Sequence, residues 1–491
     1  MTLSNNAVLS PNPATDFERR VENDVVTLEK FLPSDATSVV VPAEIDGRPV
    51  AKIGVRAFKN QTSLTQIVLP PSVREIADSA FSGCASLSDV VFQPRSELEI
   101  VGNRVFAGCS ALTSIVLPDG VKQIGEAAFA RCAALTQVVL PSSVKSIELG
   151  AFSQCAALTQ IDLPAALEEL GETAFFDCKA LTAVRVAPEN ANFQDLDGVL
   201  LSKDGKTLVR CPEGKSGEFT VPPGVKTLAY EAFARCDSLT QVVLPNGLEK
   251  IDERAFFRCD ALKTISLPAK LKTLGESAFE GCSSLTQVVF PPKVKTLPER
   301  VFFGCSSLER VELPENLGKI ARLAFAGCSS LSQLVLPNGV KSIGELAFVG
   351  CSSLERIELP TSLGKVDEQT FYACSRLAQV VFPPTLTEIR SNAFYKCVSL
   401  TEVDTPQNLK KIGSFAFHHC RSLTQVTFSE GLEEIGERAF GCSALKEVAL
   451  PDALQKIGRY AFPDETVCRA SASVVEKFAD AIKYREQNYA R

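Results

Sequence analysis

The chain has 491 residues, of which 45% are hydrophobic and 22% charged, and this composition excludes wholesale disorder. Lys and Arg number 51 against 58 Asp and Glu, and the resulting net charge of −7 argues against a surface dedicated to nucleic acid. Because there are two histidines, no tryptophan and one methionine, we expect no enzymatic activity, no cofactor and no metal site.

The N-terminal segment lacks the repeat that organises the rest of the chain. Residues 1–24 are predicted to form a tail and a short helix, which Thr15 and Glu18 would begin as a capping box. Residues 25–57 are rich in Val and Ile and contain an Asp-Gly turn, so we expect a β cap over the first repeat. Neither a signal peptide nor an apolar run long enough to span a bilayer is visible, which favours a cytoplasmic location.

Cysteines mark an internal repeat along most of the chain. From Cys84 onward they recur mostly every 23 residues, with one step of 58 residues between Cys178 and Cys236 and a last step of 22 residues to Cys442. A fixed period of about 20 to 50 residues is typical of a solenoid, in which each repeat forms one coil that stacks on its neighbours. A phenylalanine also recurs once per repeat, ending at Phe462, and predicts seventeen coils.

Each repeat has two parts, and the copy at residues 282–304 reads C-S-S-L-T-Q-V-V-F-P-P-K-V-K-T-L-P-E-R-V-F-F-G. The alternating L-x-x-V-x-L predicts a short strand that buries every second side chain and ends at a proline. The V-K-x-I-G-x-x-A-F part spaces its apolar residues as in a helical or 3-10 turn. We therefore predict an α/β solenoid, a right-handed array over residues 58–186 and 222–465, with a parallel β-sheet on its concave face and short helical or 3-10 turns opposite.

Two segments interrupt or close the array. The 58-residue step exceeds one repeat by 35 residues, which places an insert at residues 187–221. Two apolar runs there, at 199–201 and 207–209, flank an Asp-Gly turn and predict a β-hairpin that projects from the array. Residues 466–491 contain apolar residues at helical spacing and predict a C-terminal capping helix.

Coils of 23 residues with L-x-x-L-x-L resemble leucine-rich repeats. The longer pattern L-P…I-G-x-x-A-F-x-x-C is similar to the BspA-like subclass of bacterial and protist surface proteins, and the resemblance extends over residues 39–465. Residues 197–200, Asp-Gly-Val-Leu, resemble a hairpin insert common in that family. The resemblance implies binding or adhesion to proteins, and it implies no chemistry.

A residue repeated at one position of stacked parallel strands forms a ladder with steps of about 4.8 Å. The cysteine ladder has three interpretations: buried thiols that fill space, disulfides between neighbouring coils, or a zinc site. We favour buried thiols, because Cys is among the most often buried residues and a column supplies at most two ligands without a histidine nearby. His418 and His419 are adjacent and unrepeated, so we predict that they lie outside one turn, with pH sensing as the less favoured alternative.

The outward residues of the predicted strands carry the functional information, because packing fixes the inward ones. Along the second half of the array they alternate between Gln with Val and Arg with Glu. Exposed valine mixed with Arg and Glu favours a protein partner over nucleic acid, and a solvated sheet without a partner is the alternative. The candidate partner-binding residues are Gln241, Val243, Gln287, Val289, Arg310, Glu312, Gln333, Val335, Arg356, Glu358, Gln379 and Val381.

These observations predict a non-enzymatic recognition or adhesion scaffold, monomeric, that binds a protein through this face. The alternatives are an intracellular adaptor, which the lack of a recognisable leader favours, and a glycan-binding surface protein. A surface location, which the family resemblance implies, would require an export route. No catalytic or cofactor-binding residues are predicted.

Overall fold

The computed structural model describes residues 10–478 and divides into two compact units, Met1–Lys215 and Ser216–Arg491. Each unit is a β-solenoid of parallel strands, and the turns of the two units together number about 19, with about 23 residues each. No helix among the described residues is long and apolar enough to cross a membrane.

Each turn contributes strands to two parallel ladders, which we call the face strands and the second strands. The face strands arise from L-x-x-V-x-L, and the second strands, mostly two residues long, follow the proline. In the first unit the face strands are Ser38–Val40, Gln66–Leu69, Asp89–Phe92, Ser114–Val116, Gln137–Val139, Gln160–Leu163 and Ala183–Val186. The second strands there are Arg48–Ile53, Glu75–Ile76, Ile100–Val101, Gln123–Ile124, Ser146–Ile147 and Glu169–Leu170.

The second unit repeats both ladders. Its face strands are Ser216–Thr220, Ser238–Val243, Thr264–Ile265, Gln287–Val289, Arg310–Glu312, Arg356–Glu358, Gln379–Val381, Glu402–Asp404, Gln425–Thr427, Glu447–Ala449 and Val467–Arg469. Its second strands are Thr227–Leu228, Lys250–Ile251, Thr273–Leu274, Thr296–Leu297, Lys319–Ile320, Ser342–Ile343, Lys365–Val366, Glu388–Ile389, Lys411–Ile412, Glu434–Ile435 and Lys456–Ile457.

The predicted helical turns opposite the sheet are not confirmed. Within residues 10–478 the helices are a single 3-10 turn, Ala14–Asp16, and one α-helix, Ala472–Lys477. In each coil the V-K-x-I part instead forms a second strand, and the residues around the phenylalanine form turns. The fold is therefore a β-solenoid with nearly no helix, rather than the predicted α/β array.

Hydrogen bonds between coils explain why these turns are not helical. The Phe256 N–H donates to the Ala278 carbonyl of the next coil at 2.8 Å, and the N–H groups of Arg254 and Arg258 also donate to the next coil. Arg254 and Arg258 both have a left-handed backbone with φ of 54°, which interrupts a right-handed helix. The backbone groups of these turns therefore pair with the next coil instead of with each other. The apolar residues, although spaced as in a helix, pack against the equivalent residues of neighbouring coils.

The predicted number of seventeen coils is not confirmed either. Two further turns lack the A-F-x-x-C motif on which that number rests. Near the N-terminus, Val25–Phe31 pairs in parallel with Arg48–Ile53. At the start of the second unit, Ser216–Thr220 pairs in parallel with Ser238–Val243. Each unit therefore has one turn that belongs to the solenoid by its strand pairing although it lacks the sequence motif.

The structure has a β-hairpin where the sequence predicts a short N-terminal helix. Phe17–Glu22 pairs antiparallel with Val25–Phe31, and Asn23 and Asp24 form the turn with φ of 50° and 62°. Asn and Asp tolerate this left-handed conformation, which suits a two-residue hairpin turn. Phe17 is buried against Phe31, with ring centroids 5.4 Å apart, so the hairpin covers one end of the first core.

The insert at residues 187–221 packs against the first unit and does not project from it. Phe193–Leu196, Val199–Ser202 and Thr207–Arg210 form an antiparallel meander. Leu200 is fully buried in the hydrophobic core of that unit. Apolar side chains on the hairpin therefore have a core to enter, which a projecting hairpin would lack.

The C-terminal helix is short in the described part of the chain. Ala472–Lys477 buries Val474, whereas Val475 is 44% exposed. The rest of the predicted capping segment, residues 479–491, lies outside the described residues.

The core of each unit is a set of side-chain ladders. Inward Leu, Ile and Val from both strands surround one stacked column of phenylalanines. Phe348 and Phe371 show its geometry, with ring centroids 5.2 Å apart and ring planes 3° from parallel. Such offset aromatic pairs contribute energy beyond the area they bury.

The glycine after the isoleucine or leucine of the second strand approaches the backbone of the preceding coil. A Cβ added to Gly275 would lie 2.2 Å from the Glu253 nitrogen. We expect Gly275→Ala to destabilise the second unit by about 1–3 kcal/mol, because the coils must separate. Gly364→Ala is the matched control, since a Cβ there meets nothing within 4 Å. Chemical denaturation measures both; equal stabilities for the two variants would contradict the close approach of the coils.

Candidate binding face

The face strands of the second unit alternate buried and exposed side chains. Val242, Val288 and Val311 point into the core and are 2%, 1% and 6% exposed. Their neighbours along each strand point outward, because successive side chains of a strand lie on opposite sides of the sheet. We call the outward side the strand face.

The predicted partner-binding residues lie on the strand face. Eleven of the twelve are exposed, and Val381 is half-buried. The exposed ones are Gln241, Val243, Gln287, Val289, Arg310, Glu312, Gln333, Val335, Arg356, Glu358 and Gln379. Their role in binding stays a prediction.

Parallel register brings these residues together in two groups. In the first group Gln241, Thr264, Gln287 and Arg310 are successive register partners. In the second group Gln333, Arg356 and Gln379 are successive partners in the same way. Each group thus presents one column of polar side chains, with a second outward column two residues further along each strand.

The second outward column contains the exposed valines. Val243, Val289 and Val335 are 38%, 53% and 84% exposed. Val289 lies opposite Glu312 in the parallel register, so a charged coil follows an apolar one. The three valines are separated by Ser266 and Glu312, so the column alternates apolar and polar side chains along the second unit.

Two charged coils of the strand face are neutralised within their own strands. Arg310 and Glu312 form an ion pair of 2.6 Å, and Arg356 and Glu358 form one of 3.8 Å. Exposed pairs of this kind contribute about 0–1 kcal/mol to stability, so folding alone gives little reason for them. These coils place hydrogen-bond donors of Arg and acceptors of Glu beside the valines, and the paired side chains add little net charge.

The flank next to the strand face is partly neutralised by pairs between coils. The ion pairs Lys272–Glu249 and Lys410–Glu433 measure 2.6 Å and 2.9 Å, and each joins equivalent positions of neighbouring coils. The hydrogen bond from Lys272 lowers the pKa of Glu249 below its usual value. These pairs reduce the positive charge that their part of the flank offers to a polyanion.

A shallow groove adjoins Val289. It has a volume of about 460 Å³, and its walls include Thr264, Ser266, Gln287 and Pro291. The groove lies between the Thr264–Ile265 coil and the next coil, and Val289 forms part of its wall.

Two exposed valines of the first unit occupy equivalent positions, and the sequence analysis missed them. Val116 and Val139 are 62% and 41% exposed and are register partners. Both end the L-x-x-V-x pattern just before the final leucine, so extending the same alignment to the earlier repeats identifies them.

The cysteine ladder consists of buried free thiols. Fifteen of the seventeen cysteines are buried, Cys442 is exposed and Cys468 is partly exposed. Thirteen of the ladder thiols donate to the carbonyl of a phenylalanine in the preceding coil, as Cys351 does to Phe325 at 3.2 Å. Desolvation raises the pKa of Cys351 to about 12. The ladder therefore holds neutral thiols with a hydrogen-bonding role, which filling of space alone does not predict.

We expect two of the seventeen cysteines, Cys442 and Cys468, to react with a thiol reagent in the native protein at pH 8. The other fifteen are buried and should react at the rate of unfolding. Counting modified thiols with time by mass spectrometry, with and without denaturant, tests this. Fast modification of ladder positions in the native protein would contradict their burial.

Comparison with known proteins identifies similar chains. A sequence model of the family described as BspA type leucine-rich repeat region (6 copies) matches residues 51–182, 215–329, 295–409 and 341–469. No curated protein matches the chain.

Several solved structures are similar. A leucine-rich cell surface protein from Faecalibacterium prausnitzii is 27% identical, with a TM-score of 0.49, over 76% of this chain and 94% of that one. The pneumococcal vaccine antigen PcpA is 23% identical, with a TM-score of 0.52, over 68% of this chain and 93% of that one. A leucine-rich repeat protein from Bacteroides ovatus is 27% identical, with a TM-score of 0.48, over 93% of this chain and 98% of that one. The likeness to PcpA supports the fold alone.

Proposed function

Since the chain belongs to the BspA-type leucine-rich repeat family, we propose that it is a non-enzymatic recognition scaffold that binds a protein through the strand face of its second unit. The observation that carries the proposal is the row of exposed valines between coils whose charges are already paired. Solenoids of this kind are typical of binding proteins, and the row gives one of their surfaces a specific character.

Binding would use the valines for affinity and the polar column for orientation. Burial of a valine side chain that is 84% exposed, as Val335 is, stabilises a complex by up to about 1.5–3 kcal/mol. Gln287 and Gln333 each offer a donor and an acceptor from a fixed strand position. The strands already fix the backbone at these positions, so the entropy lost on binding comes mainly from the side chains, at about 0.5–1.5 kcal/mol for each long one that becomes ordered.

The proposal is tested by replacing Val289 and Val335 with Asp in one variant. A charge buried at the centre of an interface should cost at least about 2 kcal/mol per site, or roughly 30-fold in affinity. Affinity capture from cell extract with wild-type and variant protein should show a captured protein that the variant loses. The melting temperature should fall only slightly, because both side chains are exposed and the new Asp at position 289 faces Glu312, a like-charge contact worth about 0.2–1 kcal/mol.

A matched control places the same substitutions away from the strand face. Val55 and Val475 are 59% and 44% exposed and lie outside the face strands. The double variant Val55→Asp/Val475→Asp should capture the same protein as the wild type. Equal capture by the strand-face variant would reject the strand face as the binding surface.

The ladder of buried free thiols favours a second candidate, an adaptor inside a reducing compartment. This candidate uses the same strand face and differs in location. Fractionation of cells, combined with a count of free thiols in freshly isolated protein, distinguishes it from a surface adhesin. Recovery of the protein in the extracellular or envelope fraction would reject the adaptor.

A further inference from the structure

Three side chains with metal-binding atoms meet near the end of the second unit. They are His418, His419 and Cys442. One ligand atom of each lies within 4.8 Å of the ligand atoms of the other two. The chain has only two histidines, and both belong to this cluster.

A shortened coil explains how a cysteine reaches the histidines. Earlier ladder cysteines follow their phenylalanine by three residues, but the last step is 22 residues, so Cys442 follows Phe440 by two. Ser443 takes the ladder position instead, and its N–H donates to the Phe440 carbonyl at 3.3 Å. Cys442 is thereby turned to the surface, in the column that His419 occupies one coil earlier.

Backbone contact fixes the two coils beside each other at this point. The His419 N–H donates to the Gly441 carbonyl at 2.9 Å. A Cβ added to Gly441 would lie 2.5 Å from Nδ1 of His418, so the glycine makes room for that imidazole. The Phe417 and Phe440 rings stack beneath, 5.2 Å apart. The histidines and Cys442 are therefore held on adjacent, well-packed coils.

One ring nitrogen of the cluster lacks a hydrogen-bond partner among the described residues. Nδ1 of His419 is buried and makes no hydrogen bond, whereas the His418 imidazole is in hydrogen-bonding contact with the Gly441 backbone. Buried polar atoms are rarely left without a partner in folded proteins, and those that are call for an explanation such as a bound ion. Such an atom beside a second imidazole and an exposed thiol points to a ligand shared by all three residues.

Partial burial and three cationic side chains surround the imidazoles. Burial lowers the pKa of His418, and the nearby His419 and Arg438 lower it further. Burial also lowers the pKa of His419, with contributions from Arg421 and Lys396. The three cationic side chains oppose a dication, and Cys442, which would bind a metal as a thiolate, would offset part of that repulsion.

We propose that His418, His419 and Cys442 form a zinc site with three protein ligands, in which water completes a tetrahedron. Two imidazoles and a thiolate are a ligand set that Zn²⁺ accepts, at about 2.0–2.1 Å for nitrogen and about 2.3 Å for sulfur. In a tetrahedron with these bond lengths the ligand atoms lie about 3.5 Å apart. Side-chain rotations that move each ligand atom by about 1 Å would bring all three within reach of one ion. The metal would join two consecutive coils where the cysteine ladder is interrupted.

The test is titration of the full-length protein with Co²⁺, a spectroscopic substitute for Zn²⁺, followed by displacement with Zn²⁺. Wild-type protein should bind one ion per chain and show the near-ultraviolet band of cobalt bound to thiolate. Cys442→Ser should lose that band, and His419→Gln should weaken Zn²⁺ binding by more than the roughly 10- to 100-fold that removal of an outer-shell partner costs. Cys442 is exposed, so Cys442→Ser should keep the fold.

Cys468→Ser serves as the control, because Cys468 is the other cysteine with solvent exposure and is not part of the cluster. It should bind Co²⁺ and Zn²⁺ as the wild type does. The proposal is overturned if wild-type protein shows no saturable Co²⁺ band, or if Cys442→Ser retains the band at the same affinity. These measurements read metal binding directly and do not depend on the partner of the strand face.

Discussion

Replacing Phe348 with alanine is expected to lower the free energy of unfolding of the second unit by about 3–5 kcal/mol. Phe348 is fully buried and stacks on both neighbours in its column, Phe325 and Phe371, with centroids 5.3 Å and 5.2 Å away. Deleting the ring leaves a cavity that the column cannot close, because the coils above and below are fixed by hydrogen bonds between coils.

Chemical denaturation of the variant measures this loss, and Val335→Ala is its control. Val335 is 84% exposed on the same unit, so its truncation should change the unfolding free energy by less than about 0.5 kcal/mol. A loss below about 1 kcal/mol for Phe348→Ala would show that the column is not the main core.

Replacing Arg210 with methionine is expected to destabilise the first unit by about 3–5 kcal/mol. Its guanidinium contacts the Glu213 carboxylate at 2.6 Å, and the two side chains are 6% and 1% exposed. The Asp177 N–H donates to the same carboxylate oxygen at 2.8 Å. Removing Arg210 takes a buried, hydrogen-bonded cation away from a buried carboxylate, which costs far more than loss of a surface ion pair.

The double variant Arg210→Met/Glu213→Met separates the ion pair from the rest of the site. Because both charges are then gone, much of the loss should be recovered, giving a favourable coupling of more than about 1 kcal/mol in a double-mutant cycle. Chemical denaturation of the four proteins gives the coupling. Additive losses would contradict a buried, directly coupled pair.

The repeat period was sufficient to predict a solenoid of the leucine-rich repeat type, because ladders such as the Phe348 column need only a fixed spacing. It was not sufficient to predict the second strand. Apolar residues around Phe256 have a spacing that fits a helical turn. Only the hydrogen bonds to the next coil distinguish a helical turn from the strand and turn that are observed. Such bonds join residues about one repeat apart and leave no trace in the pattern of a single coil.

The sequence also predicts some features of the two candidate sites and not others. Alternation along each strand predicts that Val289 and Val335 point outward, and both are exposed. The charge pairing of Arg310 with Glu312 could not be predicted, since it depends on side-chain conformation. The approach of Cys442 to His419 had a signal in the sequence, the step of 22 residues, but its meaning requires the column that each position occupies.

The most direct test of recognition through the strand face is the dissociation constant of the captured partner, measured in solution. Val289→Asp/Val335→Asp should bind roughly 900-fold more weakly than wild type, from about 2 kcal/mol at each of the two sites, while Val55→Asp/Val475→Asp stays within about threefold. Equal dissociation constants for all three proteins, at similar melting temperatures, would contradict the account.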